Sequence, residues 1–267
     1  MDGAGGVYDA GGDRGGDERG DRRGGGRKAR PRAGRDDERD DERGAPVIAV
    51  CGLAFEAAIA AGRRVVPLVG PGPARIAARL DALLSGPEQD WAGVMSFGCA
   101  AGLDPALAPG TCVLAVGVYT PAWRLAADAD WLDVLRQRLP QARGGWLAGV
   151  DAPLVAPADK ARLLQASGAV VADMESHAAA LAARRHGLPF AACRVVLDPA
   201  GRSVPPSALA GVQDDGRTAW LALLRSLAGE PRQLGAMRAL ARDAWRARRT
   251  LRRVRARLGV ALAAPPY

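Results

Sequence analysis

Asp173 and Glu175 flank Met174 in the stretch VADMESHAAA (171–180), directly after an apolar run and directly before an alanine-rich segment. Two further acids stand in the same kind of place: Asp198 follows the run FAACRVVL (190–197), and Glu56 follows VIAVCG (47–52) by a short loop. Carboxylates so placed have a chemical use. One kept protonated by partial burial can act as a general acid, and one kept charged can accept hydrogen bonds from hydroxyls or draw a proton from water. Each also has a local use. Asp173 reads as the N-cap of the following helix, because its side chain can satisfy free amides of the first turn. Glu175 in that turn could equally complement the helix dipole. Asp198 before Pro199 could open a turn, Glu56 could be a surface residue at a helix start, and His177 reads as a helix-face residue rather than a catalyst.

Bringing these acids together requires strands that deliver them to one edge. PVIAVCG (46–52) is a short continuous apolar run ending in glycine, the pattern of a buried strand. RRVVPLVG (63–70), WAGVMSFG (91–98) and TCVLAVGVY (111–119) are further strands, and PGPARIAARLDALLSG (71–86) puts Ile76, Leu80, Leu83 and Leu84 on one helical face. GAVVA (168–172), a helix over about 174–186 closed by Gly187, and FAACRVVL form a strand–helix–strand unit. Strands alternating with helices predict an α/β domain with a largely parallel or mixed sheet. In a β-α-β unit the two strands run parallel, so Glu175 and Asp198, 23 residues apart, are expected at one cleft, with Glu56 and the small-residue loop GCAAG (98–102) beside them. VGPGP (69–73) is a weak match to a phosphate loop, since Gly and Pro also make ordinary turns.

Composition narrows the class. The 267 residues, 48% hydrophobic, can build a substantial core. The net charge of +8 is uneven: residues 1–45 hold 11 basic and 12 acidic side chains, whereas residues 232–257 hold ten arginines against Asp243. The first segment is glycine plus mixed charge with little to bury and is expected to be disordered, and its balanced charge argues against nucleic-acid binding. Cys51, Cys99, Cys112 and Cys193 are widely spaced with two histidines to join them, so no metal site is expected and the cysteines read as small core residues of a reduced, cytoplasmic protein. No run is long enough for a membrane span.

Taken together these segments resemble the purine and uridine phosphorylase superfamily, above all its nucleosidase-like branch. CGLAFEAAIA (51–60) is similar to that branch's first acid-bearing loop, and LVGPGPARIAARLDALL (68–84) to its second strand, G-x-G turn and helix. SFGCAAGLDPALAPGTCVLA (96–115) resembles its glycine-rich loop and following strand, and VVADMESHAAALAARRHGLPFAACRVVLDPAG (170–201) its D-M-E segment, helix and final R-x-x-S-D strand end. Within the superfamily, GLAFEA, SFGCAAGLDPAL, DMESHAAA and VPPSALAGVQDDGRTAWLALLRSL (204–227) most resemble hopanoid-associated phosphorylases.

The resemblance implies a three-layer fold with a central mixed sheet flanked by helices, and cleavage of the N-glycosidic bond of a purine nucleoside. For the hopanoid-associated members this means release of adenine from adenosylhopane. It implies Asp198 and Glu56 as catalytic residues, Glu175 and Met174 as ribose-binding residues, and Gly52, Ser96, Gly98 and Cys99 as the nucleophile or phosphate pocket. No cofactor is implied, with phosphate as a co-substrate if the reaction is phosphorolysis and water if it is hydrolysis; a homo-oligomer is also implied. Two positions depart from the pattern. Ser96 stands where phosphorolytic relatives carry an arginine, the usual bidentate device for phosphate, and Leu197 stands where a serine precedes the aspartate. Two other readings stay open: a nucleosidase of the methylthioadenosine/adenosylhomocysteine type, and a catalytically weak protein that binds a nucleoside lipid or scaffolds a hopanoid assembly.

Three regions follow: a 1–45 tail, a 46–231 α/β domain and a 232–267 arginine-rich amphipathic helix and tail. That helix, with Met237, Leu240, Ala244, Leu251, Val254 and Leu258 on one face, reads either as a peripheral contact to an anionic membrane or as a stretch that packs up to about residue 245 and is solvated beyond.

Overall fold

The computed structural model describes residues 44–70, 72–86, 90–204 and 234–266. The 1–43 tail and most of the 204–227 segment lie outside the described residues. In chain order the elements are β1 (Val47–Cys51), α1 (Ala54–Ala60), β2 (Val65–Val69), α2 (Pro73–Leu84), β3 (Gly93–Gly102), β4 (Cys112–Tyr119) and β5 (Arg124–Ala126). They continue with α3 (Ala129–Arg138), β6 (Arg143–Gly149), α4 (Pro157–Ser167), β7 (Ala169–Asp173), α5 (Ser176–Arg185), β8 (Phe190–Asp198) and α6 (Leu234–Leu258).

All strands join one mixed sheet, and the long strand β3 organises it. On one edge β3 pairs parallel with β8 from Val94 to Ala101. Its other edge is shared: β1 pairs parallel with Gly93–Ser96, and β7 pairs antiparallel with Ala101 and Gly102. Because β8 pairs with β4, β4 with β6 and β6 with β7, the sheet returns to β3 and closes a ring of five strands, with β1 and β2 as an extension. β1 is buried at all five positions, as a continuous apolar run covered on both faces must be.

The strand–helix–strand unit is not parallel. β7 runs against β3 and β8 runs with it, so β7 and β8 point in opposite directions. The acids meet for a different reason. On the shared edge of β3, β1 and β7 run toward each other and both stop short, leaving Phe97–Ala100 with no strand partner on that side. GCAAG is correspondingly the end of β3 rather than a loop; its small side chains let two strands and the site's carboxylates approach one stretch of backbone.

Helices cover both faces. Phe97, Cys193 and Val195 pack with Trp131 of α3 and with Ala247, Leu251, Val254 and Leu258 of α6. On the opposite face Ile48, Val94 and Ala192 pack with Ile76 and Leu80 of α2 and with the buried alanines of α5.

The arginine-rich helix therefore spends its apolar face on the domain, and its fully buried apolar residues, Ala247, Leu251, Val254 and Leu258, lie in the part beyond residue 245 that was expected to be solvated. Burying each of Leu251, Val254 and Leu258 contributes about 1.5–3 kcal/mol, so laying that face in a bilayer would forfeit what holds the helix down. What faces outward is arginine, with Trp245 61% exposed and Arg249 over its ring. Among the described residues no helix is long and apolar enough to cross a membrane.

Candidate active site

The gap in β3's edge is where Glu56 enters. β1 ends at Cys51, Gly52 and Leu53 turn the chain, and α1 carries Glu56 back over the gap. Its Oε2 accepts from the amides of Gly52 and Leu53, both at 3.0 Å, and its Oε1 from the amide of Cys99 at 2.7 Å. The last of these is a β3 amide left over by the split sheet. Glu56 is buried rather than a surface residue. Burial pushes its carboxyl above the usual range, opposed by Arg194 and the amides. Gly98 makes the approach feasible: a Cβ there would lie 2.5 Å from Glu56 Oε2 and 2.8 Å from Arg194 Nη1.

Glu175 arrives from the other side of the gap, just past the end of β7. Its Oε1 accepts from the Gly72 amide at 3.2 Å, so the amide just ahead of α2 holds a protein carboxylate. Gly52 is glycine for the same crowding, since a Cβ would lie 3.0 Å from the Glu175 carboxylate. Burial, reinforced by the Asp173 and Glu56 charges, raises the Glu175 carboxyl to about 7 against the pull of Arg194.

Arg194 of β8 sits beneath both acids and is fully buried. Its Nε lies 2.6 Å from Asp173 Oδ2, its Nη2 lies 2.5 Å from Ser96 Oγ and 3.8 Å from Glu175 Oε2, and Nη1 donates to the Cys99 carbonyl at 3.3 Å. Burial alone would lower its pKa, but the Asp173, Glu175 and Glu56 carboxylates more than offset that and raise it, so it remains a cation. Asp173 does two jobs. It accepts from the Ser176 amide at 2.9 Å, the first amide of α5, although the N-cap position itself is Glu175 rather than Asp173, and it neutralises Arg194.

Asp198 ends β8 opposite Ala101, and its Oδ2 is 2.6 Å from Nζ of the fully buried Lys160 on α4. Burial raises its carboxyl above the usual range, opposed first by the Lys160 charge. Glu56, Glu175 and Asp198 line one cavity of about 320 Å³, together with Gly52, Cys99 and Met174. That volume is at the small end of the roughly 300–1,000 Å³ of small-molecule sites.

Residues 40–226 match the family described as the phosphorylase superfamily. The chain belongs to that superfamily. Among curated proteins none matches it. Among solved structures the fold is similar to futalosine hydrolase of Helicobacter pylori, with a TM-score of 0.53, 14% identity and coverage of 70% of this chain and 98% of that one. It is also similar to a 5′-methylthioadenosine/S-adenosylhomocysteine nucleosidase from Colwellia psychrerythraea in complex with adenine, with a TM-score of 0.54, 17% identity and coverage of 70% and 96%. The corresponding Streptococcus pyogenes nucleosidase, in complex with 5-methylthiotubericidin, gives 0.54, 14%, 79% and 98%.

Against this superfamily fold the sequence-derived site residues divide cleanly. Glu56, Glu175, Asp198, Met174, Gly52 and Cys99 line the cavity, and Gly98 sits just behind Glu56. Ser96 does not reach the cavity: it is fully buried, and its hydroxyl bonds to Ser176 Oγ at 2.7 Å and to Arg194 beneath the floor. His177 faces a separate cavity beside Trp123 and Asp151. Leu197 packs into the core on the α6 side. Two buried cations, Arg194 and Lys160, complete the site. Neither was singled out from the sequence, although Arg194 stands as a lone charge inside FAACRVVL, and a charge buried in a strand must be paired. Lys160 left no such mark in PADKARLLQAS.

Proposed function

We propose that this chain cleaves the N-glycosidic bond of a purine nucleoside with water as the acceptor. The observation that carries the reading is the convergence of Glu56, Glu175 and Asp198 on one cavity, each on a different element. With the base at the Asp198 end, the Asp198 carboxylic proton passes to purine N7 while the C1′–N9 bond breaks and its electron pair leaves with the base. Glu175 accepts hydrogen bonds from the ribose hydroxyls, with Met174 against the sugar. Glu56 takes a proton from the water whose oxygen bonds to C1′. The carboxylates at that end also favour the positive charge that develops on the sugar.

The acceptor follows from where the anion-binding groups are spent. The Gly52, Leu53 and Cys99 amides are engaged by Glu56, and the Arg194 cation is engaged by Asp173. A phosphate dianion would meet two carboxylates before any free cation. The finer substrate, adenosylhopane, is supported by the segment resemblance and by the apolar wall of Val150, Pro153, Leu154 and Val204, which suits an apolar 5′ substituent. For such a lipid substrate the outward arginines of α6 would supply electrostatic contact with an anionic bilayer.

Adenine release from adenosine, 5′-methylthioadenosine and adenosylhopane, each with and without phosphate, tests the proposal. We expect phosphate-independent release, fastest with the apolar 5′ substituents. No release from any of the three would leave the binding or scaffold reading.

A further inference from the structure

Lys160 lies fully buried behind Asp198, and an ammonium has three protons to place. They go to Asp198 Oδ2 at 2.6 Å, to the Pro199 carbonyl at 3.0 Å and to the Arg202 carbonyl at 2.9 Å. One side chain thus ties the acid to the turn that follows it. Desolvating a lysine is costly unless its partner is well placed, and α4 buries only Ser167 besides it. Leu197, where a serine would precede the aspartate, offers no hydrogen bond and points into the core.

We propose that Lys160 is the positioning residue of the general acid: it fixes Asp198 Oδ2, leaves Oδ1 as the oxygen for the base, and sets by its charge the pH at which Asp198 gives up its proton. This rests on the nucleosidase reading above. When the proton passes to the base as the C1′–N9 bond breaks, Asp198 is left as a carboxylate, and the adjacent ammonium neutralises it. The charged and titratable groups facing Asp198 are Lys160 from α4, Arg202 from the turn after β8 and the Cys99 thiol of β3. The Arg202 guanidinium is itself engaged by Asp243 of α6.

The test compares wild type, Lys160→Met, Asp198→Asn and the double variant in two ways. One is the pH profile of adenine release. The other is a carboxyl titration of ¹³C-labelled aspartate by NMR, with the Asp198 signal identified by its absence from Asp198→Asn. Activity requires protonated Asp198 and is lost as pH rises through its pKa. Removing the opposite charge raises that pKa, so in Lys160→Met the alkaline limb moves to higher pH. We expect kcat to fall about 10²-fold with KM little changed, the scale for a misplaced group, and no further loss when Lys160→Met is added to Asp198→Asn. If Lys160→Met does not fold, Lys160→Gln, an uncharged donor, serves in its place. An unmoved Asp198 titration, or an equal loss from Lys160→Met in both backgrounds, overturns the proposal. If wild type releases no base, the nucleosidase reading fails, while the titration still decides whether Lys160 governs Asp198.

Discussion

At one end of the cavity Glu56, Asp173 and Glu175 crowd around the Arg194 guanidinium; at the other, Asp198 has the Lys160 ammonium at 2.6 Å. The first end carries more acid than cation and the second is balanced. A surplus of negative charge suits the place where a sugar becomes positive, and a balanced pair suits the place where a proton is handed over and its carboxylate must be tolerated. Within about 320 Å³ the two ends thus differ in charge count, as the two halves of the proposed nucleoside substrate would require.

The strongest way to break the contrast is to remove the cation of the crowded end. Arg194→Met leaves three buried carboxylates facing one another, and losing one partner of a buried pair typically costs about 3–5 kcal/mol. Urea unfolding should show that loss, and an unchanged midpoint would mean the acids do not depend on Arg194. At the balanced end, Asp198→Asn should lower turnover about 10²- to 10⁴-fold, or roughly 3–5 kcal/mol of barrier. Near-normal adenine release by that variant would remove Asp198 from the chemistry.

The crowded end should also respond to pH. Glu175 titrates at about 7 in the folded state against 4.5 ordinarily, so between these values the folded protein holds a proton that the unfolded chain has released. The stability Glu175 contributes is therefore fully present below about pH 4.5, is lost as pH rises toward 7 and levels off above it. Glu56 and Asp198, raised in the same direction, add to the slope. Glu175→Gln should flatten it in thermal melts; an equally steep profile in the variant contradicts the assignment. The smallest effect is expected outside both ends. Trp245→Ala on the exposed face of α6 should change folding stability by less than about 0.5 kcal/mol, because its ring contacts Arg249 rather than the core; a larger loss in urea unfolding would show that the outer face of α6 supports the fold.

At both ends the acids were legible in the sequence and the cations were not, and the reason is local. Glu56, Glu175 and Asp198 each follow an apolar run, where a charge stands out, whereas Arg194, a lone charge inside FAACRVVL, was not singled out. Lys160 sits in a helix with polar residues around it, and the partners it meets when buried, Asp198 and the Pro199 and Arg202 carbonyls, lie 38 to 42 residues away in sequence. Sheet directions were illegible for a similar reason. VADMES and FAACRVVLD read as a parallel unit, but β3 is long enough to take β8 along one edge and an opposed β7 at the end of the other. Ser96 looked like a pocket residue from its place in SFGC, yet strand alternation turns it to the face where Arg194 and Ser176 wait. The apolar stripe of α6 was evident, whereas what covers it was not.

The most direct measurement is a single turnover of 5′-methylthioadenosine in ¹⁸O-labelled water with phosphate present, followed by mass spectrometry of the sugar. The account predicts free adenine and a methylthioribose carrying one ¹⁸O at C1. A sugar 1-phosphate without the label, or no cleavage at all, would contradict it.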